Sequence, residues 1–398
     1  MKSWVKIFLA VTIVIVSGVS FLFISYPAPY VIKTLTRLGA DVSDMDYFPS
    51  STIGHDGNVY SFKTDLQDEK IEQLFQQQDK ISDLGEFLTK TKTSSFLVIQ
   101  NDTILYESYL NGYARDSIVT SFSIAKSFAS TLVGIAIDEG SIDSVDDPVT
   151  KYIPEIAGHD PGFSDLTIED LLLMSSGIGY HETGFLNGDD AKTYYWPDLR
   201  DLAINKIEIE GPPGTVFHYN NYHPLLIGVI LERTTGVTVS KYMEDKIWSH
   251  MGTEFDAGWS LDDTGFEKME SGINARAIDF AKLGKLFLNN GVWEGEEIVS
   301  PEWVALSTSP KPVADYESYY SEYSDYIFSD GNGFYKYFWW GIQRDDGYDY
   351  LAEGNLGQFI YISPSKNLII VRFGESYGSF DGSYPWITAF HEFASDFQ

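Results

Sequence analysis

Short, strongly apolar runs lie toward both ends of the chain, whereas the middle third is helical and rich in loops. Residues 95–100 and 103–109 are rich in β-branched and aromatic side chains and are joined by Asn101-Asp102, so they predict a hairpin. Further strands are predicted over residues 337–343, 358–363 and 368–373. Strands at both ends with helices between them predict one antiparallel sheet built from the two chain ends.

One segment in the first half of the chain is apolar on nearly every helical face. Residues 124–137 stop before Gly140, which predicts a central helix without a solvent face. Further helices are predicted over residues 222–234, 277–289 and 384–397. The expected fold class is therefore α+β, an α/β sandwich whose sheet is flanked by helices and interrupted by a helical insertion at about residues 140–270.

The N-terminus carries an apolar run, residues 7–24, preceded by Lys2 and Lys6. Its length is at the lower edge of a membrane-spanning helix. An uncleaved membrane anchor is favoured, because the run ends without an A-x-A-like cleavage site; a cleaved signal and a buried core helix stay open. The two lysines favour a single-pass protein of the cell membrane with its globular part extracytoplasmic, or a secreted or periplasmic protein if the segment is cleaved.

These patterns divide the chain into three parts. We expect an anchor or signal segment at residues 1–29, a strap at 30–90 and a globular domain at 91–395.

Composition narrows the classes of function. The net charge is −31, which repels polyanions and argues against nucleic acid as a partner. There is no cysteine, so disulfides, thiolate metal sites and cysteine nucleophiles are excluded. The histidines show no H-E-x-x-H spacing, and no metal or cofactor is predicted. The sequence leaves the oligomeric state open.

A serine three residues before a lysine on one helix lies one turn from a proton acceptor. Ser3, Ser123 and Ser363 have this spacing, but only Ser123 stands at the start of a buried helix, where free N–H groups favour developing negative charge. Burial would lower the pKa of Lys126 and make it a base near neutral pH. The alternative is that Ser123 is an ordinary N-cap and that Lys126 extends to solvent.

A rival serine lies near the end of the chain. Ser376 fits G-x-S-x-G within residues 374–378 and follows a predicted strand, as a nucleophile elbow does. An elbow serine is followed by a helix, an acid and a histidine, whereas the residues that follow Ser376 have loop composition. Ser376 is therefore the weaker candidate.

Three motifs occur in a fixed order. They are Ser123-Ile124-Ala125-Lys126, Tyr219-Asn220-Asn221 and Ala352-Glu353-Gly354-Asn355-Leu356-Gly357-Gln358. The series resembles the S-x-x-K, Y-x-N and K-T-G-like motifs of the serine β-lactamase and penicillin-binding-protein superfamily, within its class C-like branch. The resemblance covers about residues 90–395 and implies a β-lactamase/transpeptidase-like fold.

The resemblance implies a role for each matched residue. Ser123 would be the acylated nucleophile, Lys126 its proton partner, and Tyr219 the group that shuttles protons to the leaving group. Asn221 would hydrogen-bond the lysine and the substrate amide. Taken alone, Tyr219 fits a core tyrosine and Asn221 a helix N-cap. Tyr180, after a predicted turn, is a candidate for the wall of the substrate cleft.

The third motif would supply the oxyanion hole. The backbone N–H groups of Ser123 and Asn355 would bind the oxyanion, the second from an edge strand after Gly354. Gly354 and Gly357 form a Gly-x-x-Gly-Gln series similar to the esterase and 6-aminohexanoate-oligomer amidase members of the superfamily.

This motif also departs from the family pattern. Ala352 and Glu353 stand where K-T-G has lysine and threonine, so the cation that binds a substrate carboxylate is missing. Arg344 or Arg372, on neighbouring predicted strands, could replace it.

The sequence therefore predicts a serine hydrolase for a small ester or amide. Two alternatives stay open, namely a catalytically inactive penicillin-binding-like sensor and a true β-lactamase or D-alanyl-D-alanine carboxypeptidase.

Overall fold

The strands from the two chain ends lie side by side in one sheet. The computed structural model describes residues 2–77, 81–158, 160–182, 184–310, 331–378 and 386–397. Its strands are β1 Ser50–Ile53, β2 Lys63–Thr64, β3 Thr93–Gln100, β4 Thr103–Tyr109, β5 Val119–Thr120, β6 Ala257–Ser260, β7 Ile273–Ala275, β8 Val292–Trp293, β9 Glu296–Glu297, β10 Gly333–Lys336, β11 Trp339–Arg344, β12 Gly347–Gly354, β13 Gln358–Ser363 and β14 Leu368–Gly374.

The described residues also form α-helices. They are α1 Lys2–Ser25, α2 Ala28–Arg37, α3 Asp68–Gln76, α4 Leu84–Lys90, α5 Ile124–Asp138, α6 Ile168–Leu172, α7 Asp189–Tyr195, α8 Leu199–Asn205, α9 Tyr222–Thr235, α10 Val239–Met243, α11 Ala277–Leu288, α12 Pro301–Thr308 and α13 Trp386–Asp396.

The large sheet has the strand order β10-β11-β12-β13-β14-β3-β4-β2. Strand β14 pairs antiparallel with β3, which joins the C-terminal strands to the N-terminal hairpin. The edge strand β2 pairs parallel with β4. The prediction of an antiparallel sheet built from both chain ends is thus confirmed, with one short parallel strand at its edge.

Helices cover both faces of this sheet, as an α/β sandwich requires. Phe96 and Leu97 are consecutive on β3 and point to opposite faces, so they belong to two different apolar clusters. Helices α5, α9 and α11 pack on the face of Leu97, and α3, α4 and α13 pack on the face of Phe96. The predicted α+β sandwich is confirmed.

A second, smaller sheet was not predicted. It has the order β1-β6-β7-β5, and its strands are two to four residues long. Strands of this length carry too few alternating positions to give a sequence signal. This sheet leads directly into α5.

Element boundaries agree closely with the sequence pattern except around β11 and β12. Tyr337 and Phe338 have positive φ angles of 44° and 64°, so the predicted strand at residues 337–343 begins later, at Trp339. Strand β12 was not predicted as a strand, although it carries most of the third motif. Of the predicted helix 384–397, the first two residues and residues 379–383 before them lie outside the described part of the chain.

The N-terminal run forms α1, whose described side chains are largely exposed, with Trp4 at 80% and Ile24 at 83%. The alternative of a buried core helix is therefore wrong. In the described part of the chain no single helix meets the length and hydropathy expected of a membrane span; the bent pair Val11–Ser25 and Ala28–Arg37 meets it only together. The anchor and the cleaved signal remain predictions.

Candidate active site

The small sheet positions Ser123. Ser121 follows β5 and donates its backbone N–H to the Ile273 carbonyl oxygen at 2.8 Å, and its hydroxyl accepts the Ile273 N–H at 3.1 Å. Phe122 then takes a left-handed φ of 43°, which turns the chain sharply into α5. Ser123 stands at the N-cap of α5, but its side chain makes no capping hydrogen bond. Its hydroxyl is therefore free to serve another partner.

That partner is Lys126. Its Nζ donates to Ser123 Oγ at 2.8 Å and to the Glu270 carbonyl oxygen at 2.9 Å. The side chain is 1% exposed, so it does not extend to solvent. Burial lowers the pKa of Lys126 to about 7, against the opposing effect of the Glu270 and Asp190 carboxylates. A large share of the amine is thus neutral at physiological pH.

Tyr219 lies beside Ser123 and Lys126. The Ser123 side chain acts on the phenol and lowers its pKa, against the larger effect of burial, and Lys126 Nζ lies 4.9 Å from its ring centroid. The ring stacks on Trp340 at 5.7 Å, which fixes its plane. Burial raises the pKa of Tyr219, so it is a protonated phenol at neutral pH.

Asn221 occupies the N-cap position of α9, but its side chain does not cap the helix. The cap bond is made by Asn220, whose Oδ1 accepts the Tyr222 N–H at 2.8 Å, while Asn221 makes no capping bond. Asn221 Nδ2 instead donates to the Tyr180 hydroxyl at 2.8 Å, and this hydroxyl donates to Asp190 at 2.5 Å. Asn221 Oδ1 is buried and unpaired. Tyr180, predicted as a cleft wall, is buried behind Asn221 and orients it.

The third motif brings its turn beside the nucleophile. Strand β11 pairs with β12 only as far as Leu351, so Ala352–Gly354 form a locally open edge of the sheet. A Cβ on Gly354 would lie 2.3 Å from the Ser121 carbonyl oxygen, so only glycine permits this approach. Asn355 follows and lines the same cavity as Ser123.

Arg372 holds this turn in place. The guanidinium is fully buried, and it donates to the carbonyl oxygens of Leu356 and Gly357 and to those of Thr91 and Ser376. A Cβ on Gly357 would lie 2.3 Å from Nη1, so this glycine leaves room for the guanidinium. Arg372 therefore supports the turn from behind.

Neither candidate arginine replaces the missing lysine of the third motif. The donors of Arg372 are occupied by four backbone carbonyls and by the Thr93 hydroxyl. Arg344 pairs with Asp349 at 2.9 Å and with Asp346 at 3.2 Å. Neither side chain lines the cavity at Ser123.

The cavity at Ser123 has a volume of about 650 Å³. Its described lining includes the carboxylates Glu182, Asp190 and Glu270 but no lysine or arginine. Part of its wall comes from the end of α2 and the residues after it, namely Thr34, Leu38, Gly39 and Ala40. The N-terminal segment thus contributes to the wall of the cavity.

Sequence reasoning missed three contributors. Glu270 acts on Lys126 through its backbone carbonyl, and a carbonyl leaves no trace in the residue type. Asp190 reaches Asn221 only through Tyr180, across a loop without a motif. The α2 segment precedes the matched motifs, and its place in the cavity follows from tertiary packing.

The hydrogen bonds of the rival serine, Ser376, are made with Gly378 and Arg372. Ser376 Oγ accepts the Gly378 N–H at 3.0 Å, and its carbonyl oxygen accepts from Arg372 at 2.7 Å.

No group of three histidine, aspartate or glutamate side chains able to hold a metal ion is found among the residues that the structure describes.

The fold, which brings Ser123, Lys126 and Tyr219 together, defines a class of protein, the β-lactamase/transpeptidase-like hydrolases. The chain belongs to the beta-lactamase family, whose profile matches residues 72–386. It is 28% identical over 306 residues to the 6-aminohexanoate-dimer hydrolase of Paenarthrobacter ureafaciens, an alignment that covers 74% of this chain and 75% of that protein.

Two solved structures show the same fold. One is a Bacillus anthracis protein named as a candidate 6-aminohexanoate-dimer hydrolase, with a TM-score of 0.72, 24% identity, and coverage of 88% of this chain and 90% of that one. The other is a family VIII carboxylesterase, with a TM-score of 0.59, 17% identity, and coverage of 87% and 99%.

Proposed function

We propose that this protein hydrolyses a neutral ester or amide through an acyl-enzyme on Ser123. The observation that carries the proposal is the 2.8 Å hydrogen bond between Ser123 Oγ and the buried amine of Lys126, whose pKa is lowered to about 7. A buried lysine that is neutral at physiological pH is a base, whereas an exposed lysine is not.

In the proposed acylation, Lys126 takes the Ser123 proton while Oγ attacks the substrate carbonyl carbon. The carbonyl oxygen becomes an oxyanion, which accepts hydrogen bonds from the N–H groups of Ser123 and Asn355. When the tetrahedral intermediate collapses, the bond to the leaving group breaks and the leaving group receives a proton through the Tyr219 phenol, which Lys126 resupplies. Water then attacks the acyl-enzyme by the reverse proton path and releases the acid.

The raised pKa of Tyr219 supports this division of roles. A tyrosine that stays protonated at neutral pH relays protons between Lys126 and the leaving group, and the free amine supplies the basicity. The same arrangement argues against an inactive sensor domain, because a binding role needs no buried neutral lysine beside a serine.

The substrate class follows from the charge of the cavity. Glu182, Asp190 and Glu270 line it, and none of its described lining residues is a cation. The carboxylate of a penicillin, or the free C-terminal carboxylate of a peptide, would lie near these acids and would find no cation among the described lining residues. The relatives named for carboxylester and aminohexanoate-dimer hydrolysis support an ester or amide substrate.

Kinetics on one preparation test this choice. We expect kcat/KM for p-nitrophenyl butyrate to exceed that for a chromogenic cephalosporin by about 100-fold or more, since an unpaired carboxylate loses a charge-assisted hydrogen bond. Equal values for the two substrates would contradict the proposal and make the protein a β-lactamase.

A second test concerns the phenol. Tyr219→Phe should lower kcat for p-nitrophenyl butyrate by about 10²- to 10⁴-fold, because it removes the proton shuttle and leaves the ring on Trp340. Tyr350→Phe, at a buried tyrosine of the large sheet, is the matched control and should retain activity. Full activity of Tyr219→Phe between pH 6 and pH 9 would reduce Tyr219 to a packing residue.

A further inference from the structure

Helix α2 has exposed apolar side chains in addition to its buried ones. Ile32 and Leu35 are 52% and 45% exposed, and Leu38, just after the helix, is 72% exposed. The inward face carries fully buried apolar side chains together with Lys33, which is 8% exposed and pairs with Asp263 at 2.5 Å. A surface helix of a soluble protein normally presents polar side chains outward, whereas α2 presents these apolar ones. Its outward face therefore fits an apolar environment.

Helix α2 is firmly attached to the body of the protein. Tyr30 is fully buried, and its hydroxyl donates to the Leu186 carbonyl oxygen at 2.7 Å. The chain just after α2 is held in the same way, because the Tyr195 hydroxyl donates to the Gly39 carbonyl oxygen at 2.6 Å. The outward apolar face is thus a fixed feature of the surface.

This face runs up to the mouth of the catalytic cavity. Leu38 lines the cavity, and so does Phe185, which is 51% exposed. We call Ile32, Leu35, Leu38 and Phe185 the apolar rim. Contiguous exposed apolar surface of this kind marks an interaction site.

The preceding helix indicates what covers the rim. Two residues separate α1 from α2, and the exposed apolar side chains of α1 lie on all sides of it, including Phe8, Ile13 and Phe21. A groove in a partner protein covers one face of a helix, whereas lipid surrounds it. The two helices are bent by 119°, so α2 lies nearer to perpendicular than to parallel to α1, as an interfacial helix does.

We propose that the apolar rim rests on the surface of a lipid bilayer, so that the catalytic cavity opens toward the membrane. This inference rests on the function proposed above. The substrate is then an ester or amide with an apolar chain, which enters the cavity from the bilayer past Leu38 and Phe185. The charge of −31 disfavours anionic lipid, so the contact is apolar and insensitive to salt.

Site-specific labelling tests the contact without reference to catalysis. Because the chain has no cysteine, Leu38→Cys and Phe185→Cys each give a single site for a polarity-sensitive fluorophore. Leu66→Cys, at a leucine that is 52% exposed outside the cavity lining, is the matched control. The full chain is mixed with phosphatidylcholine vesicles that carry a nitroxide on the acyl chain.

We expect the rim labels to lose at least half of their fluorescence to the lipid nitroxide, at low and high salt alike, and the Leu66 label to stay accessible to aqueous iodide. Rim labels that remain open to iodide on vesicles would overturn the proposal. Rim labels shielded without vesicles would overturn it too, since a second copy of the chain would then be the occupant.

A catalytic assay separates this inference from the proposed function. Ile32→Asn combined with Leu35→Asn changes the rim outside the cavity lining, and should leave hydrolysis of soluble p-nitrophenyl butyrate unchanged. Hydrolysis of a p-nitrophenyl ester of a long-chain acid held in vesicles should fall about tenfold, and Leu66→Asn should not change it. Equal loss on both substrates, or none on either, would contradict the role of the rim in substrate entry. If the protein hydrolysed no ester but the rim labels were still quenched by the lipid nitroxide, the proposed function would be contradicted and the membrane contact would stand.

Discussion

Ser123→Ala is expected to abolish both turnover and covalent labelling by a fluorophosphonate probe. The substitution removes the atom that would carry the acyl group, and the residual rate should be that of a site without a nucleophile, lower by about 10⁴-fold or more. Thermal stability should be nearly unchanged, because the Ser123 hydroxyl makes no helix-capping hydrogen bond that alanine would lose. Labelling yield and the melting temperature are measured on the same preparations.

The same helix offers a matched control for this variant. Ser130 lies on α5 as well, and its hydroxyl is buried without a hydrogen-bond partner. Ser130→Ala should therefore label and turn over like the wild type. Mass spectrometry of the labelled protein should find the adduct on Ser123. An adduct on Ser376, or undiminished ester hydrolysis by Ser123→Ala, would show that Ser123 is not the nucleophile.

The large sheet could be predicted from the sequence because most of its longer strands are distinct apolar runs. Strands β3, β13 and β14 are long runs of β-branched and aromatic residues, and the hairpin turn at Asn101-Asp102 uses residue types that tolerate its positive φ angles of 50° and 58°. Strand β12 was not predicted, because Gly347 and Gly354 at its two ends are of a residue type that is typical of loops. The sequence pattern therefore did not distinguish this strand from a loop before the third motif.

Those residues of the candidate site that lie within motifs could be predicted from the sequence. Ser123 and Lys126 are one helical turn apart, so their contact follows from local geometry. The backbone carbonyl of Glu270 reaches Lys126 across 144 positions of the chain, through a turn of the small sheet. No local pattern predicts such a contact, because tertiary packing alone creates it.

The N-cap positions of α5 and α9 show where local rules mislead. Serine and asparagine are strong N-cap residues, so the simplest interpretation of Ser123 and Asn221 is structural. In the structure neither side chain caps its helix; Asn220 does so for α9, and the hydroxyl of Ser123 accepts from Lys126. Side chains that leave a favourable local bond unmade are available for chemistry.

The pH dependence of acylation is the second large effect that we expect. The pKa of Lys126 is lowered to about 7 by burial, and only the neutral amine accepts the Ser123 proton. The neutral fraction rises as pH increases through this value, so the acylation rate of the wild type should increase about tenfold between pH 6 and pH 8 and then level off. Stopped-flow release of p-nitrophenol under single-turnover conditions measures this rate.

Two variants assign that pH dependence to Lys126. Lys126→Ala removes the base and should slow acylation by about 10²- to 10⁴-fold, with the inflection near pH 7 lost. Lys126→Arg keeps a cation that does not deprotonate in this range, so it should be equally slow at every pH. Because alanine leaves space where the buried amine stood, a small amine such as methylamine should restore part of the Lys126→Ala rate, increasingly so at higher pH. Retention of the wild-type inflection by Lys126→Ala would show that another group titrates, and that the 2.8 Å contact with Ser123 does not supply the base.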